Sequence, residues 1–115
     1  MERLRAIPDT SNTGDSMKLV RDYIPDIIKE DGKTCVSRGC ADLQEFNDRL
    51  RDKMIEETDE FLEEPSYEEA ADMYEVLRAF ANLYNLDMKM VRSTADTKRN
   101  KRGGFDDGII LEKVE

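Results

Sequence analysis

The sequence contains no histidine and no tryptophan, and only two cysteines, Cys35 and Cys40. The absence of histidine excludes nucleophilic catalysis of the Ser-His-Asp and Cys-His kinds. A zinc site is not expected either, because two thiols alone do not complete a tetrahedral set of ligands. We therefore expect two reduced thiols, and any acid–base chemistry must come from carboxylates, lysine, tyrosine or a metal-bound water.

Long apolar runs are also lacking. No stretch approaches the ~20 apolar residues that a membrane span needs, and the first residues lack the apolar segment of a signal peptide. We therefore expect a cytoplasmic protein that does not associate with membranes. The 115 residues, 38% hydrophobic and 39% charged, predict one domain with a small core. A chain of this kind often gains by sharing a helical face with a second copy, so we expect a homodimer or a higher homo-oligomer.

The net charge of −9 argues against specific nucleic-acid binding, and the charge is unevenly distributed. Residues 42–75 hold 14 acids and 3 bases, whereas residues 89–102 hold 6 bases and 1 acid. An acidic centre followed by a basic segment suits a metal site beside a phosphate site. The simpler explanation is two solvated helix faces of opposite charge, and the charge distribution alone favours this explanation over a metal site beside a phosphate site.

The chain is expected to consist of two parts. Residues 1–16 are polar and aperiodic, which predicts a flexible N-terminal arm. Residues 17–115 predict an all-α domain built on an antiparallel helical hairpin or a four-helix bundle. Candidate helix boundaries are Pro25, Gly32, Asp42, Pro65, Ser66 and Gly103. Residues 34–38 and 105–111 could in addition pair as a small β ribbon.

The second predicted helix carries an apolar stripe of Leu43, Phe46, Leu50, Met54 and Phe61. On a helical wheel Glu57 falls roughly 20° from Leu50, in the middle of this stripe. Glu60 lies at the edge of the stripe, whereas Glu56 and the other acids of the helix point away. Lys53 offers a salt-bridge explanation for Glu57, four residues later, and Glu60 has the simpler explanation of a surface acid.

The third predicted helix shows the same feature. Glu69 and Asp72 face or flank apolar surface, in the sector of the wheel that holds Val76 and Phe80. Glu69 also fits the reciprocal position of a capping box that begins at Ser66, and this role alone could explain it. Asp72, at the edge of the apolar face, is harder to explain without a cation.

A divalent cation would explain why these acids face apolar surface. An ionised carboxylate that faces a core costs several kcal/mol unless something compensates for it. Mg²⁺ is a hard ion that prefers oxygen ligands, and carboxylates that converge inside a helical hairpin are the metal sites of helical bundles. The sequence therefore predicts a Mg²⁺ site, with Mn²⁺ as an alternative, formed by Glu57, Glu60, Glu69 and Asp72.

Four segments of the sequence resemble a known family. They are KLVRDYIP at 18–25, KMIEETDEF at 53–61, EEAADMYEV at 68–76 and KRNKRGGF at 98–105. In this order they are similar to the MazG-like, all-α nucleoside triphosphate pyrophosphohydrolases, and most similar to the branch described as phosphoribosyl-ATP pyrophosphohydrolase-like. The resemblance extends over about residues 17–112.

The acidic signature of that family is Glu-Glu-x-x-Glu, a spacer, and Glu-x-x-Asp. In this chain it corresponds to Glu56-Glu57-x-x-Glu60 and Glu69-x-x-Asp72. The resemblance therefore implies the same four metal ligands that the helical wheels select. Glu56 and Glu57 are the candidate catalytic carboxylates, although the wheel points Glu56 outward and the sequence does not identify a general base. The spacer, residues 61–68, is shorter than in typical members and implies a tight connection between the helices.

The resemblance also implies a reaction, which is hydrolysis of a nucleoside triphosphate between its α and β phosphates. Metal-assisted attack by water fits this chemistry. The candidates for binding substrate phosphate are Arg21, Lys53, Lys98, Arg99, Lys101 and Arg102. Solvated charge is the simpler explanation for any one of them. The pair Gly103-Gly104 would let the backbone approach a ligand closely.

The main alternative is a non-catalytic acidic helical module that binds a divalent ion or a basic partner. Such a module would display its acids outward, as most acids of the second predicted helix do. The four acids of the predicted metal site do not. The sequence leaves open the base and the sugar of the nucleotide.

Overall fold

The computed structural model describes residues 17–115, so the predicted arm at residues 1–16 lies outside the described part. Residues 17–115 contain four α-helices and no strand, which confirms the all-α prediction. The helices are α1 (Ile24–Glu30), α2 (Leu43–Glu63), α3 (Tyr67–Leu83) and α4 (Met88–Arg102). The chain divides into two compact units, of which the first ends at Phe80 and the second begins at Ala81.

Local signals in the sequence set the ends of α1 and α2. Gly32 follows α1 with a φ of 82°, a conformation that glycine adopts at little cost. At the start of α2 the side chain of Asp42 accepts a hydrogen bond from the Glu45 amide at 2.8 Å. Glu64 ends α2 with a φ of −144° and a ψ of 80°, outside the helical region, because it precedes Pro65, whose ring disfavours helical geometry in the preceding residue.

The helix boundaries in the second unit also follow from local sequence. Asn85 adopts a φ of 59° after the end of α3, and asparagine tolerates this left-handed conformation. The side chain of Asp87 then caps α4 by accepting a hydrogen bond from the Lys89 amide at 2.8 Å. Gly103 ends α4 with a φ of 84°, as its position in the sequence predicts.

The β ribbon expected from residues 34–38 and 105–111 is wrong, because neither segment is a strand. Both segments are short, and a two-stranded ribbon is only marginally stable on its own. Val36 in the first segment is fully exposed, so it gains nothing from packing. A turn closed by the Gly108 amide and the Phe105 carbonyl, 3.1 Å apart, interrupts the second segment.

Helices α2 and α3 form an antiparallel hairpin. Only three residues, 64–66, connect them. In one continuous helix Glu57 and Glu69 would lie about 18 Å apart along the axis. A carboxylate oxygen of each instead lies within 4.8 Å of the other. The tight connection therefore returns α3 along the end of α2, as the short spacer implied.

The buried apolar side chains of the first unit come from α1, α2 and α3 and are Ile24, Ile28, Leu50 and Val76. Glu57 and Glu69 are as deeply buried as these apolar residues. Leu43 and Leu77 are exposed, although both belong to the apolar faces of the helical wheels. The buried face of α3 is therefore the sector that holds Val76 and the two predicted acids of that helix.

Two further observations concern the apolar character of the helices and the two cysteines. No helix within residues 17–115 combines the length and the apolar character that crossing a membrane requires. Cys35 and Cys40 are both free thiols. The thiol of Cys35 lies 3.9 Å from the carbonyl oxygen of Pro25, the distance of a weak hydrogen bond.

Candidate metal centre on the helical hairpin

The hairpin brings together three of the four acids that the sequence selects. Glu57 comes from the end of α2, and Glu69 and Asp72 come from the first two turns of α3. One carboxylate oxygen from each residue lies within 4.8 Å of the others. The spacing of three positions between Glu69 and Asp72 places both on one side of α3. We refer to these three residues as the carboxylate cluster.

The carboxylate cluster is largely shielded from solvent. Glu57 is 4% exposed and Glu69 is 1% exposed. Three buried oxygens, Glu57 Oε1, Glu69 Oε1 and Asp72 Oδ2, accept no hydrogen bond, although each of these residues takes part in other polar interactions. Carboxylates so close together repel one another when ionised, and low exposure strengthens the repulsion. Positive charge relieves this repulsion, and Lys53 beside Glu57 and Arg21 beside Asp72 supply some of it.

Burial has a direct consequence for Glu57. Removal of its carboxylate from water raises its pKa, and this is the largest effect on the group. The ammonium group of Lys53 acts in the opposite direction and lowers the pKa. The negative charges of Glu60, Asp72 and Glu56 raise it further, in that order. Glu57 is thus a buried acid with three acids and one lysine close enough to change its pKa.

Glu69 takes part in the cap of α3 through its backbone amide and in the carboxylate cluster through its side chain. Its amide N–H donates a hydrogen bond to the hydroxyl of Ser66 at 3.2 Å, which caps the start of α3. Its carboxylate meanwhile lies in the carboxylate cluster with Glu57 and Asp72. The cap and the cluster therefore involve different atoms of the same residue.

Glu60, the fourth predicted metal ligand, is placed differently. It lies on α2 one turn after Glu57 and is half-buried. Its charge raises the pKa of Glu57, so the two carboxylates are near neighbours. It is not part of the group whose oxygens lie within 4.8 Å of one another. Glu60 therefore lies at the edge of the cluster and remains a predicted ligand.

Glu56 is less exposed than its position on the wheel suggests, because two lysine side chains lie against it. The Lys53 ammonium lies 3.2 Å from Glu56 Oε1, and the Lys18 ammonium lies 3.3 Å from Glu56 Oε2. Lys53 also lies 3.4 Å from Glu57 Oε2. The predicted phosphate ligand Lys53 thus connects the two candidate catalytic carboxylates.

Arg21 is the second predicted phosphate ligand at the cluster. Its guanidinium donates a hydrogen bond from Nη2 to Asp72 Oδ1 at 2.8 Å, across 51 positions of sequence. Lys18, three positions before Arg21, is a functional candidate that the sequence analysis did not include. Its place in the segment KLVRDYIP, which also holds Arg21, was the available signal.

The other predicted phosphate ligands lie in the second unit. Lys98, Arg99, Lys101 and Arg102 occupy the last turns of α4, and all four are exposed. The Arg99 guanidinium pairs with Asp106 at 3.2 Å. It also lies so close to Gly104 that a β-carbon there would be 2.8 Å from Arg99 Nη1. The absence of a side chain at Gly104 thus lets the Arg99 guanidinium lie close to the backbone.

Comparisons of this chain with protein-family models, with curated proteins and with solved structures find no match.

Proposed function

We propose that this protein is a Mg²⁺-dependent nucleoside triphosphate pyrophosphohydrolase. It would cleave between the α and β phosphates and release a nucleoside monophosphate and pyrophosphate, as a cytoplasmic enzyme that clears nucleotides from the pool. The observation that carries this proposal is the convergence of Glu57, Glu69 and Asp72 within 4.8 Å, with two of the three buried. The sequence resemblance supplies the reaction.

The carboxylate cluster fits the proposed metal ion. Its donors are hard, anionic oxygens, which Mg²⁺ prefers, and Mn²⁺ accepts the same ligands. Each of the three residues has one buried oxygen that accepts no hydrogen bond. We assign Glu57, Glu69 and Asp72 as ligands and Glu60 as the fourth. A bound Mg²⁺ would supply charge neutralisation of the triphosphate and a water of lowered pKa.

The remaining residues would bind and orient the substrate. The Lys53 ammonium is within 3.4 Å of Glu57 and can bind a phosphate oxygen beside the cluster. Arg21, which binds Asp72, is the other proposed phosphate ligand of this unit. Lys98, Arg99, Lys101 and Arg102 lie in the second unit and stay phosphate ligands predicted from the sequence. Glu56, at the edge of the cluster, is the proposed acceptor for the proton of the attacking water. Catalysis of this kind depends mainly on positioning and charge stabilisation.

Pyrophosphate release from a panel of nucleoside triphosphates tests this proposal. With Mg²⁺ present, we expect the wild-type protein to release pyrophosphate from at least one of them. Glu57→Gln and Asp72→Asn, which keep the side-chain shapes, should each lower the rate about 100-fold or more, because each removes a charged ligand. Glu68→Gln is the matched control, since it removes the same charge at an exposed position next to Glu69.

The outcomes of this experiment separate enzyme from binding module. Full activity in both Glu57→Gln and Asp72→Asn would contradict the proposed mechanism. Cation binding by calorimetry, combined with no pyrophosphate release from any substrate, would instead establish the non-catalytic module. Circular dichroism of each variant shows whether the helices have formed, so that a lost fold is distinguished from a lost site.

A further inference from the structure

A short segment before α1 makes polar contacts to both helices of the hairpin. Residues 17–22 contain no helix or strand, yet three polar contacts fix them in place. The Arg49 guanidinium donates to the carbonyl of Met17 at 2.8 Å, and the Lys18 ammonium lies 3.3 Å from Glu56, both on α2. Arg21 binds Asp72 on α3 at 2.8 Å. We refer to residues 17–22 as the N-terminal strap.

The two oxygens of the Asp72 carboxylate have different surroundings. Asp72 Oδ1 accepts the hydrogen bond from Arg21, whereas Oδ2 is buried and accepts none. The Asp72 side chain is 12% exposed and the Arg21 side chain is 48% exposed. The positive charge of Arg21 therefore lies at the solvent side of the carboxylate cluster, attached through one oxygen.

We propose that Arg21 is the counter-ion of the carboxylate cluster when no metal ion is bound. When a divalent cation binds, Arg21 leaves Asp72 and binds the triphosphate instead. This inference rests on the proposed metal site. A guanidinium and a divalent cation on one carboxylate repel each other, so occupancy of the cluster weakens the bond from Arg21. Arg21 is exposed enough to move, and a guanidinium matches phosphate geometry with two parallel hydrogen bonds.

A purely structural role for Arg21 leads to the opposite expectation. If its main effect were to orient Asp72, then removal of Arg21 would weaken cation binding, because the ligand would lose its position. The geometry favours the counter-ion role. Asp72 lies on a regular helix and its side chain is mostly enclosed, so the hairpin already limits its rotamers. The loss of a repelling positive charge is then the larger effect.

Binding of Mn²⁺ alone tests the first half of this inference. Electron paramagnetic resonance reports free Mn²⁺ directly and does not depend on enzymatic activity. We expect Arg21→Ala to bind Mn²⁺ about threefold to tenfold more tightly than the wild type, since one screened positive charge is removed near the site. Arg21→Lys keeps the charge and should remain close to the wild type.

Arg78→Ala is the matched control. Arg78 is an exposed arginine on α3, the helix of Asp72, and pairs with Glu75 at 3.3 Å. Its removal changes the net charge by the same amount as removal of Arg21. We expect its Mn²⁺ affinity to stay at the wild-type value. An equal gain in Arg78→Ala and Arg21→Ala would mean that only net charge matters, and this would overturn the assignment of Arg21.

A second titration tests the transfer of Arg21 to phosphate. The probe is the preformed complex of Mn²⁺ with inorganic triphosphate, and binding is measured by calorimetry. Arg21→Ala should bind this complex more weakly than the wild type, although it binds Mn²⁺ alone more tightly. Tighter binding of Mn²⁺ together with weaker binding of the triphosphate complex would indicate the exchange. If Arg21 only oriented Asp72, its removal would weaken both binding events.

The two titrations distinguish failure of this inference from failure of the proposed function. If the wild type and Glu57→Gln bind Mn²⁺ equally, the carboxylate cluster is not a metal site and both proposals fail. If Glu57→Gln loses Mn²⁺ binding but Arg21→Ala shows unchanged or weaker Mn²⁺ affinity, the metal site stands and the counter-ion role is overturned.

Discussion

Glu57 illustrates how a buried carboxylate can lower the stability of the metal-free protein. It is buried on α2, and its pKa is raised chiefly because the carboxylate is removed from water. Lys53 compensates for this charge only in part, since the same ammonium also pairs with Glu56. A buried charge that is incompletely compensated lowers the free energy of unfolding.

Replacing Glu57 by glutamine should therefore stabilise the metal-free protein. We expect the free energy of unfolding to rise by about 1 kcal/mol in Glu57→Gln, measured by urea denaturation with a chelator present. In saturating Mg²⁺ the order should reverse, because only the wild type gains stability by binding the ion. Glu68→Gln should change neither value. A less stable metal-free Glu57→Gln protein would contradict the argument from burial.

The sequence reveals part of the site at the scale of single residues. Helical periodicity selects Glu57, Glu69 and Asp72, because the period of a helix fixes which side chains share a face. It does not reveal that Arg21 binds Asp72, since this contact joins residues 51 positions apart and depends on the path of the chain. The wheel also places Glu56 in solvent, where the N-terminal strap in fact brings Lys18 against it.

At the scale of secondary structure, the start of α2 is a network rather than a single cap. Asp42 accepts from the Glu45 amide, and the Glu45 carboxylate accepts from the Ala41 amide at 2.7 Å. This reciprocal bond reaches one residue further back than the capping box predicts. Arg38 adds two hydrogen bonds to the Glu45 carboxylate, at 3.0 Å and 2.7 Å. Glu45 therefore connects α2 to the segment before it.

This network predicts a pH dependence of stability. The hydrogen bond from Arg38, followed by the bond from the Ala41 amide, lowers the pKa of Glu45 to about 2. The unfolded value is about 4.3. Because the folded pKa is the lower one, the stabilisation is fully present above the unfolded value and is lost as pH falls towards 2. The wild type should thus exceed Glu45→Gln in melting temperature at pH 7.

The same comparison at lower pH is the measurement that checks the sign. The difference in melting temperature between the wild type and Glu45→Gln should stay constant from pH 7 to about 5 and then shrink as pH falls below about 4. The difference between the wild type and Glu68→Gln provides the baseline for an exposed glutamate. A difference that grows on acidification would mean that Glu45 is not stabilised in its charged form.

Elements with strong local signals were predicted more accurately than elements that depend on distant partners. The caps at Asp42 and Ser66 and the glycine at Gly103 lie where the helices begin and end, because capping and positive φ are local properties. The β ribbon was wrong because pairing of strands requires a partner at the right distance. Nothing within residues 34–38 or 105–111 specifies such a partner.

At the scale of the whole molecule, few apolar side chains are buried within residues 17–115. Only five are, namely Ile24, Ile28, Leu50, Val76 and Ala81. Many large apolar side chains are exposed instead, including several on α2 and α3. The composition predicts a small core, and the structure shows which surfaces remain uncovered. We propose that a second copy of the chain covers one of them, as the expected homodimer requires.

The surface best suited to a second copy lies on α3. Tyr67, Ala70, Tyr74 and Leu77 are all exposed and recur at spacings of three, four and three positions. This is the a and d spacing of helices that pack against each other, and the small Ala70 permits close approach. A symmetric pair of helices is self-complementary, so one stripe can serve both copies. The occupant we infer is therefore α3 of the second copy.

Placing a charge in this stripe should separate the copies. We expect the wild type to sediment as a dimer and Leu77→Asp to sediment as a monomer, because a buried, unpaired carboxylate at a dimer interface costs several kcal/mol. Ile110→Asp is the matched control, since it places the same charge at an exposed apolar position outside α3 and should leave the dimer intact. Analytical ultracentrifugation over a range of concentrations measures both. A monomeric wild type would contradict the expected dimer, whereas a dimeric Leu77→Asp variant would show that the copies meet through another face.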